Sequence, residues 1–171
     1  MQFHHDNVAD IAAPMSAVFG FLDDPQHLTA HMGKGSWMMG GGGMTTAVDE
    51  GRGQAPGSHI RLSGTAFGLS VYLDEVIEKR EPGRSKRWRT VGPNRLLVIG
   101  DYAMGFELTP RGEHTQARVY IDYDLPRQQA WLGKLLGSYY ARLCVDKMLR
   151  DAQAHFGRDM QGERAIRHRA A

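Results

Sequence analysis

The sequence predicts an α+β fold in which a seven-stranded antiparallel sheet wraps one long C-terminal helix. Three observations carry that expectation. From Pro126 to Phe156 the chain has no internal Pro and places apolar residues at helical spacing. Between residues 51 and 112, turn signals recur at hairpin intervals. Short hairpins join sequential neighbours, and a sheet that is apolar on one face needs a cover, which the helix following the hairpins supplies.

The elements follow in order. Phe3 to Ile11 alternates loosely and reads as a strand, ending at Ala12-Ala13-Pro14, where Pro suits the first turn of a helix. Val18, Phe19, Phe21 and Leu22 give that short helix its apolar face. Asp23-Asp24-Pro25 stops it and starts a second short helix through Leu28 and Met32. Turns at 51–57, 64–68, Pro82-Gly83, Gly92-Pro93-Asn94 and Pro110-Arg111-Gly112 then separate strands near 44–50, 58–64, 69–79, 85–91, 95–109 and 114–124. Over 127–156, Trp131, Leu135, Ser138, Arg142, Val145, Leu149, Ala152 and Phe156 form one continuous helical stripe. Leu132, Leu136, Tyr139, Tyr140 and Leu143 widen the apolar arc in its first half, so burial is expected there. Residues 1–156 form the domain; 157–171, with Arg158, Arg164, Arg167 and Arg169, reads as a basic, disordered tail.

With 171 residues the chain is one ordinary domain, able to bury a core without staples. The single Cys144 excludes a disulfide framework and is expected to be a buried structural thiol. The N-terminal segment lacks a signal-peptide apolar region and no apolar run approaches the ~20 residues of a membrane span, so the expected localisation is cytoplasmic. A net charge of +2 is too weak a bias to argue for nucleic acid by itself, and none is expected as a partner. The basic run Lys79 to Arg89, KREPGRSKRWR, reads as a solvated hairpin tip. The alternative is peripheral contact with an anionic membrane through 79–89, with Trp88 as anchor.

Four stretches carry a family resemblance. VADIAAPMSAVFGFLDDPQHL is similar to an opening strand, "I-x-A-P" and "V-F-x-x-L-x-D"; DEVIEKREP to a "V-x-E-x-x-P" strand end; GFELTPRGEHTQARVYIDYDLP to a final hairpin; and LGKLLGSYYARLCVDKML to a closing helix. In this order and spacing they resemble the START/polyketide-cyclase superfamily and its helix-grip fold, over residues 3 to about 156. One departure is His31-Met32, followed by a Gly/Met loop, where many members have a Trp. The resemblance implies a cavity between sheet and long helix for an apolar or amphipathic small molecule. It implies no particular chemistry, since members include lipid carriers, hormone binders and aromatase/cyclases.

Strand parity points into that cavity. The inward set of 95–109 is Val98, Tyr102, Met104, Phe106 and Leu108; that of 115–123 includes Ile121 and Tyr123. Val71, Leu73 and Ile77 share a face that Glu75 completes. A carboxylate there is costly unless paired or protonated, and because bulges flip parity the reading favours Glu75 turned outward. Were it inward, Arg142 or Ser138 would be its partner from the helix. Arg142 and Ser138 themselves have two readings: an outward lean with a snorkelling stem, or a polar spot inside the cavity beside Leu135 and Tyr139. An inward Arg142 would meet either Glu75 or the anionic head of a ligand. Residues 36–46, SWMMGGGGMTT, read either as a mobile flap over an apolar opening, ending near Met44, or as a flexible connector.

No catalytic motif is present, and no metal or other cofactor is expected. His27, His31 and the His4-His5-Asp6 run lack a third-ligand pattern, and neither GxSxG nor CxxC occurs. The expected function is to bind or carry a hydrophobic or amphipathic small molecule, lipid- or polyketide-like. The alternative is a cyclase/dehydrase-type enzyme acting on a polyketide-like or aromatic substrate, with Tyr102, Tyr123, Glu75 or Arg142 handling the proton.

Overall fold

The computed structural model describes residues 1–26, 43–66, 68–127 and 130–169, with the side chains of the last helix described as far as Arg158. β1 (Phe3–Ile11) leads into α1 (Met15–Asp23). Then come β2 (Met44–Val48), β3 (His59–Ala66), β4 (Leu69–Glu81), β5 (Ser85–Arg95), β6 (Tyr102–Arg111) and β7 (His114–Tyr123), and the chain closes with α2 (Ala130–Arg169). The sheet runs β1-β7-β6-β5-β4-β3-β2, antiparallel throughout, so the first strand pairs with the last and the rest form a meander. This is the expected seven-stranded sheet with its long C-terminal helix. The second short helix, expected through Leu28 and Met32, lies outside the described residues, as do His27, His31 and nearly all of the expected 36–46 flap.

Hairpin turns are set by glycines at positive φ, among them Gly83 (77°) and Gly112 (64°), where a side chain would be strained. Gly92-Pro93-Asn94 is not a turn. It lies inside β5, because a register shift between Tyr72 and Asp74 of β4 absorbs the irregularity. β5 pairs with β6 only from Ser85 to Arg89, so Pro93 sits where no β6 partner needs its missing N–H. The strand expected at 95–109 therefore begins only at Tyr102. Val98 belongs instead to a connection, fastened to the entry of α2 by Gly100 N–H donating to the Asp124 carbonyl (2.7 Å) and Asp124 N–H to that of Asp101 (2.9 Å).

The inner face of the sheet is the core. Ile60, Leu62, Leu73, Ile77, Phe106, Val119 and Ile121 are each at most 1% exposed, and burying a side chain of this kind contributes about 1.5–3 kcal/mol. The outer face is wet and ionic: Arg118 pairs with Asp6 (2.7 Å) and Glu107 (3.5 Å), and Arg87 with Glu78 (3.0 Å) and Asp122 (3.5 Å). Their guanidinium groups stand over the Tyr120 ring.

α2 lies chiefly across β1 and β7, with α1 against its later half. Its packed face is not the stripe of large residues. Gly133, Gly137, Ala141, Cys144, Val145, Met148 and Ala152 are buried, while Trp131 and Leu135 are each 68% exposed. Close approach decides this. A Cβ on Gly133 would come 3.0 Å from the Val98 carbonyl oxygen, so the helix sits nearer the 96–101 connection than a row of Leu would allow. Only the later part of the large stripe is covered, where Phe21 of α1 stacks on His155 (4.8 Å) and meets Phe156 edge-on (5.9 Å). α2 also continues past Phe156 as helical backbone to Arg169, where an unstructured tail was expected; the segment holds no Pro and is rich in helix formers. No helix among the described residues is long and apolar enough to cross a membrane.

Candidate functional site

Period-two alternation sends Val71, Leu73, Glu75 and Ile77 of β4 to the inner face, and all four are buried. Glu75 thus points inward, against the expectation that a bulge would turn it out. The register shifts in β4 fall between Tyr72 and Asp74 and between Ile77 and Lys79, on either side of it, so its own parity is kept. On β5 the same alternation buries Lys86, Trp88 and Thr90.

Thr90 pairs with Glu75 in the ladder and stands just past the last β5–β6 pair, Arg89 with Ala103. Its hydroxyl replaces the missing ladder bonds, accepting from Tyr102 N–H (3.0 Å) and donating to the Tyr102 carbonyl (3.3 Å). The first residue of β6 is thereby held level with Glu75. The Tyr102 phenol donates to Glu75 Oε1, and the Trp88 side chain hydrogen-bonds the same carboxyl. Burial pushes the Glu75 pKa up to about 7; the hydrogen bonds from Tyr102 and Trp88 and the charge of Lys86 pull it back only in part. Burial and the neighbouring carboxyl likewise raise the Tyr102 phenol, which stays a neutral donor. From α2, Tyr140 and Cys144 share a hydrogen bond, and the Tyr140 phenol senses the Glu75 charge; burial pushes the thiol up to about 12, which makes it no nucleophile at neutral pH.

A second buried carboxylate lies nearby at the end of α1. Asp23 is gripped by Arg80 (Nη2 to Oδ2, 2.8 Å) and by Lys86 (Nζ to Oδ1, 2.9 Å), and the Lys86 ammonium also donates to the Asp23 carbonyl (2.8 Å). Burial acts to raise the Asp23 pKa, but the bonds and charges of the two cations outweigh it and the net shift is downward. Lys86, its side chain fully inaccessible, is lowered by burial and held charged by Asp23.

Of the residues expected to line a cavity, Glu75, Tyr102, Met104, Phe106, Ile121 and Tyr123 share the inner face and are buried. Val98 offers its backbone carbonyl to the α2 glycines rather than a strand side chain. Met44 is half-buried with Ala66 and Val71 toward the β2 edge. Leu135, Ser138, Tyr139 and Arg142 are exposed. The inward Arg142 is corrected outright: its side chain is 71% exposed and pairs with Asp146 one turn along (3.5 Å). Neither Arg142 nor Ser138 meets Glu75, because the glycine face turns them to solvent.

In the basic 79–89 run, the Trp88 anchor of the membrane alternative is corrected too. Trp88 is 3% exposed and bonded inside, so it anchors nothing outside. Lys86 and Arg80 hold Asp23, Arg89 pairs with Glu78 (2.7 Å) and Lys79 with Glu81 (2.6 Å). Sequence reasoning missed Trp88, Lys86, Asp23, Tyr140 and Cys144 as parts of one polar cluster. The alternation Lys86-x-Trp88-x-Thr90 was the available signal; read for parity, it places a Trp and a Lys beside Glu75.

The model of the family described as polyketide cyclase / dehydrase and lipid transport matches residues 2–157. Among curated proteins none matches the chain significantly. Solved structures of the same fold include protein CV1439 from Chromobacterium violaceum (14% identity, 90% of this chain and 97% of that one, TM-score 0.64). Ara h 8.0201 (11% identity, 90% and 97%, TM-score 0.63) and a Thermus thermophilus protein, TTHA0849 (17% identity, 90% and 98%, TM-score 0.59), are similar in the same way.

Proposed function

The chain belongs to the polyketide cyclase / dehydrase and lipid transport family, and on that premise we propose that it binds a hydrophobic or amphipathic small molecule between the inner face of the sheet and α2. The observation that carries this reading is the Glu75–Tyr102–Trp88 cluster, a hydrogen-bonding spot set in a mainly apolar inner face. A core built only for stability gains by replacing such a spot with aliphatic side chains, whereas a binding site needs a few placed polar groups to orient its ligand. The test is uptake of the neutral fluorophore N-phenyl-1-naphthylamine. Saturable uptake that Tyr102→Phe weakens by about threefold or more supports the reading; absence of uptake by the folded protein overturns it.

A second reading is favoured by one observation, a carboxyl poised near neutrality beside a neutral phenol. In a cyclase/dehydrase-type reaction the Glu75 carboxylate takes a proton α to a substrate carbonyl, and the Tyr102 phenol donates to the enolate oxygen that forms. Solvent-deuterium exchange at that carbon in a β-keto thioester, abolished by Glu75→Gln, would support it.

A further inference from the structure

Resting on the binding reading above, we infer that the site takes an uncharged polar head, a hydroxyl or phenol on an apolar body, and discriminates against carboxylates such as fatty acids. The argument is an inventory of charge. Among the described residues the inner face of the sheet presents one lysine and one arginine, the cross-strand pair Lys86 and Arg80, and Lys86 already gives its Nζ to the Asp23 side chain and carbonyl. Arg80 is bidentate on the same Asp23 and stands over the Phe19 ring. Arg142, the cation on α2 that would have met an acid, faces solvent and pairs with Asp146.

What remains around the head position are Glu75, Tyr102 and Trp88 from the sheet and Tyr140 and Cys144 from α2, with Asp74 behind Glu75 on the same strand. Glu75 and Asp74 are acids and the others are neutral. His5, which also lies on the inner face, is on β1, four strands from β4 in the sheet, and its Nε2 has no hydrogen-bond partner. A ligand carboxylate would have to shed its water next to Glu75 with no free cation to receive it. The site would pay that desolvation in full. A hydroxyl meets the opposite situation: it brings no charge to desolvate and donates to the Glu75 carboxyl, which has lone pairs to accept it beside the bonds from Tyr102 and Trp88.

The experiment is displacement of bound N-phenyl-1-naphthylamine by decan-1-ol and by decanoate at pH 8, on the full chain. Decanol should displace the probe at a concentration at least about tenfold below that of decanoate. Glu75→Gln, which keeps shape and hydrogen bonding while removing the like charge, should narrow that ratio severalfold; this separates the effect of the site from the greater apolarity of the alcohol. A thermal melt confirms that the variant is folded, and Glu75→Met serves where it is not. Displacement by decanoate at equal or lower concentration overturns the inference while leaving the binding reading intact, and so does a ratio unchanged in a folded Glu75 variant. Failure of the folded wild-type protein to take up the probe overturns the binding reading and the inference with it.

Discussion

Asp23 and Glu75 are two carboxyls of nearly equal surface exposure, 3% and 6%, with opposite electrostatic outcomes. Asp23 sits at the end of α1, where Arg80 and Lys86 converge on it, and its charge is fixed. Glu75 sits on the inner face, bonded by a phenol and an indole, with its neighbouring lysine committed elsewhere. Desolvation is the largest influence on both, so burial alone does not decide whether an acid is a structural ion or a titratable group. The position of the cations decides it. The ion pair seals the floor beneath α1; the unpaired acid stays free to answer to a ligand or to pH.

The largest effect should come from breaking the fixed pair. Asp23→Ala leaves Lys86 buried with no direct counter-ion, and chemical denaturation should show a loss of about 3–5 kcal/mol. Adding Lys86→Met to that variant should restore part of the loss, because the stranded charge is then gone. If Asp23→Ala costs less than about 1 kcal/mol, the pair is not structural and the comparison fails.

The next effect is in pH. Glu75 has its pKa raised in the folded protein from an ordinary 4.5 to about 7, so the folded state holds the proton more tightly. Its contribution is fully present below about pH 4.5 and is lost as pH rises through 7, by about 3 kcal/mol in all. Asp23 runs the other way, its lowered pKa adding stability above the ordinary carboxylate range that is lost on acidification. Stability measured from pH 4.5 to 8 should therefore decline in the wild type and be flatter in Glu75→Gln. An unchanged slope in that variant would assign the decline to other groups.

The smallest effect sharpens the comparison by excluding a third cation. Arg142→Met should change stability by no more than about 0.5 kcal/mol, since an exposed i,i+4 pair is worth only a few tenths. It should also leave the Glu75 titration, followed by the carboxyl carbon in NMR, where it was. A displaced midpoint would show that Arg142 reaches the site after all.

Much of this was legible in the chain. Alternation in β6 and β7 put Tyr102, Met104, Phe106, Ile121 and Tyr123 on one face, and hairpin signals gave the meander, because a strand's period of two survives any tertiary arrangement. Hydrophobicity misled on α2. The eye follows Trp131 and Leu135, but the helix docks on Gly133, Gly137 and Ala141, since approach distance favours small side chains and no periodicity of apolar residues reveals that. The partner of Glu75 was equally hidden. Tyr102 reaches it only because Thr90 ties the start of β6 to β5 where their ladder ends, a contact made across strands rather than along them. Local patterns thus determined which elements exist and which faces are apolar, as those depend on neighbours in sequence. Which helix face is buried, and which of two buried acids meets a cation, was decided by the tertiary structure, because both depend on distances between residues far apart in the chain.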